Sequence, residues 1–301
     1  MRIGITGATG FIASNLIPHL HARGHTCIAY SRPVTAAKQR PGFQSGRPVA
    51  GCTETRALGG DSPPDVSALD AIVNLAGESI QGYWTKTKKE RIRSSRINFT
   101  RALVAALPRS EVRVLVSGSA TGFYGNRGDE LLPESAPRGR GFLAEVSTEW
   151  ESAALDAEQG GVRVALLRTG FVIAARGGAM EKIRPLFRLG LGGRLGSGRQ
   201  WMPWVHLDDV CGLIIHLLES DSLRGPFNAV APNPVTNAEF TRTLASALHR
   251  PAILPVPEFA LRLALGELSS LVLDSTRAVP DKATASGYSF RHAELARALN
   301  A

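Results

Sequence analysis

The sequence is poor in cysteine. Its 301 residues contain three, Cys27, Cys52 and Cys211, which lie far apart with no Cys-x-x-Cys spacing. That excludes a disulfide framework and a cysteine-based metal site. Cys27 and Cys211 sit inside apolar runs and read as buried thiols. No stretch approaches the roughly 20 uninterrupted apolar residues of a membrane span. The first residues enter a strand pattern with no basic, apolar-cored leader. The expectation is a soluble cytoplasmic protein with no membrane partner. Aromatic residues make up only 6% of the chain, and none interleaves with a basic stripe. The formal net charge is +9, but its densest run, Lys86 to Arg93, reads as the polar face of a helix. Nucleic acid is therefore not an expected partner, and an anionic small ligand accounts for the charge more simply.

At 44% hydrophobic, the chain can bury a large core in one domain or two unequal ones. Its most informative segment is Gly4-Ile5-Thr6-Gly7-Ala8-Thr9-Gly10-Phe11-Ile12-Ala13. An apolar strand runs into a glycine turn and then into Phe11, Ile12, Leu16, Ile17 and Leu20, spaced at the helical period. Gly7 allows a sharp turn, and Gly10 lets the backbone approach a phosphate. Unpaired N–H groups at the helix start then face the anion. Ala13 takes the third small position, where helix packs on strand. This is the arrangement that binds a dinucleotide pyrophosphate, with Thr9, Phe11 and Ile12 at the contact.

Strand-like runs alternate with helical patterns through the first half. The strands are Thr26–Tyr30, Ala71–Asn74, Val112–Val116 and Val162–Leu167, and the helices are Glu90–Leu107 and Phe142–Ala157. Alternation of this kind predicts an α/β fold, a Rossmann-type doubly wound parallel sheet covered on both faces. Between Pro33 and Pro64 the pattern fails in favour of Pro, Gly, Ser and Arg, so a long connection with at most one short strand is expected. We place a dinucleotide-binding domain at residues 1–176 and a smaller substrate lobe at 177–301, within which the chain can return to the core. No internal repeat is visible.

An acidic residue ending the second strand would hold ribose hydroxyls, whereas an arginine accommodates a 2′-phosphate. Here the strand ends in Ser31-Arg32 with no carboxylate, which favours NADP(H) over NAD(H). Leu75, Ala76 and Gly77 close the next strand, and the small residues let the chain pass beside the cofactor. Ser117 to Gly125 follows another strand with clustered hydroxyls at the carboxyl edge, where ligands bind in open α/β folds. Ser119 and Thr121 there are candidates to hold a substrate oxygen, and Tyr124 is the nearest phenol. Later, Arg199 and Gln200 are placed to engage a diphosphate, with Trp201 or Trp204 as a stacking face. His206-x-Asp208-Asp209 resembles a metal motif, but the two aspartates read as caps of an apolar helix over Val210–Leu218, and no metal is expected.

Taken together, these segments resemble the extended short-chain dehydrogenase/reductase superfamily, and within it the sugar-nucleotide epimerase-like family. The resemblance rests on TGATGFI at Thr6–Ile12, NLAGESI at Asn74–Ile80, SRINFT at Ser95–Thr100 and SGSATGFYG at Ser117–Gly125. It continues through LRTGFVI at Leu167–Ile173, GLGGRLGSGRQWMPWVHLDDV at Gly190–Val210, NAVAPNPVTNAEF at Asn228–Phe240 and RPAILPVPEFALRLALGE at Arg250–Glu267. It covers essentially the whole chain. It implies a Rossmann core with NADP(H), a C-terminal substrate lobe and a distinctive closing segment. By the resemblance Ser31, Arg32, Leu75, Ala76, Arg96 and Ser147 join the glycine turn at the cofactor.

One departure stands out. The superfamily normally uses Tyr-x-x-x-Lys on the helix after the hydroxyl-bearing loop, the lysine lowering the tyrosine's pKa. Here, with Glu151 in its usual place, those positions fall on Leu143 and Ser147; one residue back they fall on Phe142 and Val146. Neither register supplies the pair. Two readings follow. One is an NADP(H)-dependent oxidoreductase or epimerase acting on a small polar substrate, free or nucleotide-linked. The other is an NADP(H)-binding sensor or scaffold that has lost turnover. Either is expected as a monomer or homodimer.

Overall fold

The computed structural model describes residues 1–31, 49–57 and 64–301. Seven parallel strands form the central sheet in the order β11-β7-β5-β4-β1-β2-β3. They are β1 (Arg2–Thr6), β2 (Thr26–Ser31), β3 (Glu54–Ala57), β4 (Ala71–Asn74), β5 (Val114–Ala120), β7 (Arg163–Thr169) and β11 (Gly225–Ala229). The order reverses on either side of β1 and β4, which makes the crevice at their carboxyl ends the place where a ligand binds in such sheets. Six short strands pair outside it: β6 (Leu131–Leu132) with β13 (Arg277–Ala278), β8 (Phe171–Ile173) with β10 (Trp204–His206), and β9 (Trp201–Met202) with β12 (Val235–Thr236).

Strand alternation sorts the core into two layers. Ile3, Ile5, Cys27, Ala29, Ala71 and Val73 pack with α1 (Phe11–Ala22) and α6 (Leu207–Glu219) on one face. Ile28, Tyr30, Ile72, Leu115 and Val164 pack on the other, beneath α3 (Ile97–Ala106) and α4 (Phe142–Leu155). Gly4 belongs to that second face, where an added Cβ would lie 2.8 Å from Leu69 and 2.9 Å from the Tyr30 ring. Cys27 and Cys211 are buried free thiols, and burial pushes both up to about 12.

The helix expected at Glu90–Leu107 is two helices, α2 (Lys86–Ser94) and α3. The break has a local cause. Ser95 Oγ donates to Ile92 O at 3.1 Å and accepts from Glu78 N at 2.9 Å. Arg96 Nη1 donates to the Ile92 and Glu78 carbonyls. Both side chains take the Ile92 carbonyl, which a continuous helix would offer to the Arg96 amide, and that amide bonds Arg93 O instead.

Beyond residue 177 the chain forms α5 (Met180–Arg188), returns to cover the sheet as α6, and adds β11 at its edge beside β7. A third apolar cluster, with Met180, Phe187, Trp204, Phe240, Leu244 and Leu299, lies outside the sheet and includes α7 (Asn237–Ala247). The helix α8 (Glu258–Leu265) buries no residue. No helix among the described residues is long and apolar enough to cross a membrane.

Candidate functional site

The glycine turn forms as its spacing requires. Gly7 has φ +66, and a Cβ there would lie 2.8 Å from Leu75 O and 3.1 Å from Ala76 Cα. Only glycine admits both the left-handed backbone and this approach of β1 to the chain leaving β4. Gly10 N donates to Gly7 O at 2.7 Å. Gly10 is the N-cap of α1 and offers no capping side chain, and the first turn contains no acidic residue. The leading N–H groups of α1 therefore have no side-chain acceptor, and the positive end of the helix faces the sheet's crevice. Thr9 and Gly10 are exposed, while Phe11 and Ile12 are half-buried. Gly177 (φ +79) and Gly178 (φ +61) lie against the Phe11 ring, where a Cβ on either would come within 2.7 Å of it.

A buried polar ladder fixes the floor of this cradle. Thr6 Oγ1 donates to Asn74 Oδ1 at 2.7 Å and accepts from Ala76 N at 3.1 Å. Asn74 Nδ2 donates to Thr100 Oγ1 at 2.9 Å and Ser117 Oγ at 3.3 Å. Trp150 Nε1 donates to the same Thr100 oxygen at 3.0 Å. The structure thus brings Gly7, Gly10, Leu75 and Ala76 together. Gly77 joins them with Arg96, whose guanidinium carbon would be 3.0 Å from a Gly77 Cβ and stands 5.3 Å from the Trp150 ring. Burial pushes Arg96 down to about 10 against the opposing effect of Glu78, so it stays charged at neutral pH. Ser31 ends β2 at the same sheet edge, because its neighbour Tyr30 pairs with Thr6. Arg32 lies outside the described residues.

At the end of β5 the geometry withdraws one of the expected roles, that of Tyr124. Ser119 Oγ donates to Glu151 Oε1 at 2.6 Å. Glu151 in turn receives Arg168 Nε and Nη2, both at 2.8 Å. Arg168 Nη1 donates to Tyr124 Oη at 2.9 Å, and Tyr124 donates to Asn228 Oδ1 at 2.7 Å. Burial alone would lower the Arg168 pKa, but the Glu151 carboxylate outweighs it and holds the guanidinium above its ordinary value. Tyr124 is fully buried, and burial raises its phenol. It is a core tyrosine, closed to a substrate, because its hydroxyl is enclosed by Arg168 and Asn228. Thr121 is buried at the start of the turn after β5. A Cβ on Gly122 would lie 3.1 Å from Leu143 Cβ. Leu143 therefore stands beside the hydroxyl-bearing turn where the superfamily's tyrosine is expected, and Ser147 is buried one helical turn on.

The substrate stretch is also rearranged. Arg199 is exposed. Gln200 is buried, and its amide nitrogen donates to Leu195 O and Val272 O, both at 2.9 Å. Those inward bonds withdraw it from a ligand. Trp204 is 1% exposed, with Nε1 bonded to Asn233 O at 3.1 Å, so it is core and not a stacking face. Trp201 is half-buried, bonds Asp129 Oδ1 at 2.8 Å and has the Arg277 guanidinium 4.3 Å over its ring.

The aspartates of His206-x-Asp208-Asp209 do not cap α6. His206 is the N-cap, its Nδ1 accepting from Asp208 N at 3.2 Å. Asp209 turns to the closing segment and accepts from Arg291 N at 2.8 Å, His292 N at 2.9 Å and Tyr288 Oη at 3.3 Å. A Gly-x-x-Gly count could not reveal Glu151 and Arg168. The usable signal was Arg168, a charge ending the apolar run Val164–Leu167, which demands a buried partner; Glu151, between Glu149 and Ser152, carried no such signal. The metal-type atoms of His206, Asp208 and His292 lie within 4.8 Å of one another. The two imidazoles pack at 3.8 Å between centroids with their planes tilted by 40°.

Comparison with known proteins places this geometry in context. The profile of the NAD dependent epimerase/dehydratase family matches residues 3–229, and a domain of unknown function, DUF1731, matches residues 256–301. An epimerase family protein of Mycobacterium leprae is 37% identical over 300 residues, covering 99% of this chain and 94% of that protein. The crystal structure of human epimerase family protein SDR39U1 with NADPH superposes with a TM-score of 0.86 at 32% identity, covering 99% of this chain and 98% of that one. A nucleoside-diphosphate sugar epimerase from Corynebacterium glutamicum gives a TM-score of 0.78 at 31% identity, covering 99% of this chain and 57% of that chain.

Proposed function

We propose that this chain, which belongs to the NAD dependent epimerase/dehydratase family, binds NADP(H) and acts as an oxidoreductase or epimerase on a small polar, nucleotide-linked substrate. The observation that carries the reading is the uncapped N-terminus of α1 behind Gly7 and Gly10, a cradle that a single Cβ would fill. The residues present fit a dinucleotide. Free amides suit its pyrophosphate, and the small pair Ala76-Gly77 keeps the β4 edge open. The absence of a carboxylate at Ser31-Arg32 suits a 2′-phosphate. Support also comes from the human relative crystallised with NADPH.

When bound, the cofactor supplies hydride transfer. The chain's own part begins at Ser119. Its hydroxyl hydrogen is committed to Glu151, so towards a substrate hydroxyl its oxygen acts as the acceptor. Arg168, held between Glu151 and Tyr124, fixes that orientation without touching substrate. Thr121 is the second hydroxyl of the same turn, and Arg199 is the exposed cation for an anionic substrate group. Leu143 and Ser147 leave no tyrosine–lysine pair for proton transfer, which by itself forfeits a factor of roughly 10²–10⁴.

That same observation favours the second reading, an NADP(H)-binding sensor or scaffold. Single-turnover oxidation of bound NADPH against a panel of carbonyl compounds and nucleotide sugars separates the two. Oxidation with any member that Ser119→Ala slows supports the enzyme. Silence across the panel with binding intact supports the sensor.

A further inference from the structure

We propose that the C-terminal lobe carries a second ligand site, for a small organic phosphate, apart from the glycine-turn cradle. It is a cavity of about 460 Å³ beside α7, within the size range of small-molecule pockets. Three arginines line it: Arg194 from the loop before β9, Arg242 on α7 and Arg250 just beyond α7. No carboxylate lines it, and among the described residues none of the three arginines is ion-paired. Two of them are positioned instead by main-chain oxygens, which orient a guanidinium without neutralising it. Arg250 Nε donates to Arg188 O at 3.0 Å and its Nη1 to His249 O at 3.3 Å. Arg194 Nη1 donates to Ser197 O at 3.2 Å. Each guanidinium offers five N–H donors, so most remain for a ligand. Clustered like charges raise the local potential and draw an anion, with bidentate geometry suited to phosphate.

The backbone supports the same conclusion. His249 has φ +52 at the end of α7, the position where glycine is usual, and Arg250 N closes the turn onto Ala245 O at 3.0 Å. A non-glycine residue held there delivers the Arg250 side chain to the cavity, an outlier of the kind that gathers at ligand sites. Thr241 and Ser246 add hydroxyls, and Ala238 and Ala245 give an apolar wall for the body of the ligand. Arg199, the anion-binding candidate of the substrate site, does not line this cavity.

The test is calorimetry of the full-length protein with phenyl phosphate and with pyrophosphate, at fixed ionic strength, with and without saturating NADPH. With NADPH saturating, one equivalent of each probe binds; without it, phenyl phosphate still binds at this site, while pyrophosphate has the vacant glycine-turn cradle as a further site. Arg194→Gln/Arg242→Gln weakens binding at this site by roughly tenfold or more, as loss of two charge-assisted contacts requires. The control Arg101→Gln/Arg113→Gln, with the same loss of net charge, leaves it unchanged. The proposal is overturned by no heat up to about 10 mM probe, tenfold above a dissociation constant of about 1 mM. Equal weakening in both double variants also overturns it, as does binding abolished by NADPH.

Discussion

Removing the Glu151 carboxylate tests the buried network at its centre. Glu151 and Arg168 are 6% and 4% exposed, so neither charge is screened by water. Glu151→Ala deletes the acceptor of three bonds, from Arg168 Nε, Arg168 Nη2 and Ser119 Oγ. It leaves Arg168 with hydrogen bonds to the Tyr124 oxygen and the Glu134 carbonyl, at 2.9 and 3.1 Å, and the Phe123 ring 3.6 Å away, but with no counter-charge in hydrogen-bond contact. Stranding a buried charge in this way costs about 3–5 kcal/mol, a large part of the roughly 5–15 kcal/mol that holds a domain folded. In equilibrium urea unfolding, with a slope of about 2–3 kcal/mol/M, that is a midpoint drop of roughly 1–2 M. The double variant Glu151→Leu/Arg168→Met removes both charges at similar volume and recovers to within about 1–2 kcal/mol of the parent. A single-variant loss below about 1 kcal/mol, the worth of an exposed pair, would refute the reasoning. So would a double variant no more stable than the single.

Other outcomes follow from the same geometry. Asp209→Ala strands the Arg291 and His292 amides, while the Tyr288 hydroxyl keeps the Asp209 main-chain oxygen at 3.0 Å; it destabilises by about 2–4 kcal/mol, and limited proteolysis should then release the closing segment first. Burial and the neighbouring His292 hold the His206 imidazole below its ordinary 6.5, against the opposing pull of Asp208 and Asp209. The unfolded chain therefore takes up that proton more readily, and stability present above pH 6.5 is lost as the pH falls below it. His206→Asn keeps a good N-cap and flattens the slope of thermal stability between pH 7 and 5; an unchanged slope would assign the dependence elsewhere. Gly10→Glu places a carboxylate at the start of α1, and NADPH affinity falls by about 100-fold or more while the circular dichroism spectrum is retained. Arg32→Ala erases most of the preference for NADPH over NADH in paired titrations.

The elements that could be read from residue pattern were those with a single local cause. The strand–glycine turn–helix unit was legible because φ at Gly7 and the period of Leu16, Ile17 and Leu20 are set by neighbours in sequence. The parallel sheet followed from alternation. What escaped notice depends on partners distant along the chain. Tyr124 looked available until Asn228, 104 residues away, closed over its hydroxyl. Gln200 and Trp204 carried ligand-type side chains, but their donors are spent on Leu195, Val272 and Asn233 carbonyls. Asp209 had the spacing of a helix cap, yet the amides of a segment 82 residues on compete for it. The missing tyrosine–lysine pair, by contrast, was legible through the family resemblance, since neither register on the helix, Leu143 with Ser147 or Phe142 with Val146, supplies it.

The account rests on the anion cradle of α1. Calorimetry of purified protein, stripped of carried-over nucleotide, measures it most directly with NADPH and NADH titrated in parallel. The account predicts one equivalent of NADPH bound, more tightly than NADH. No heat from either nucleotide would contradict it.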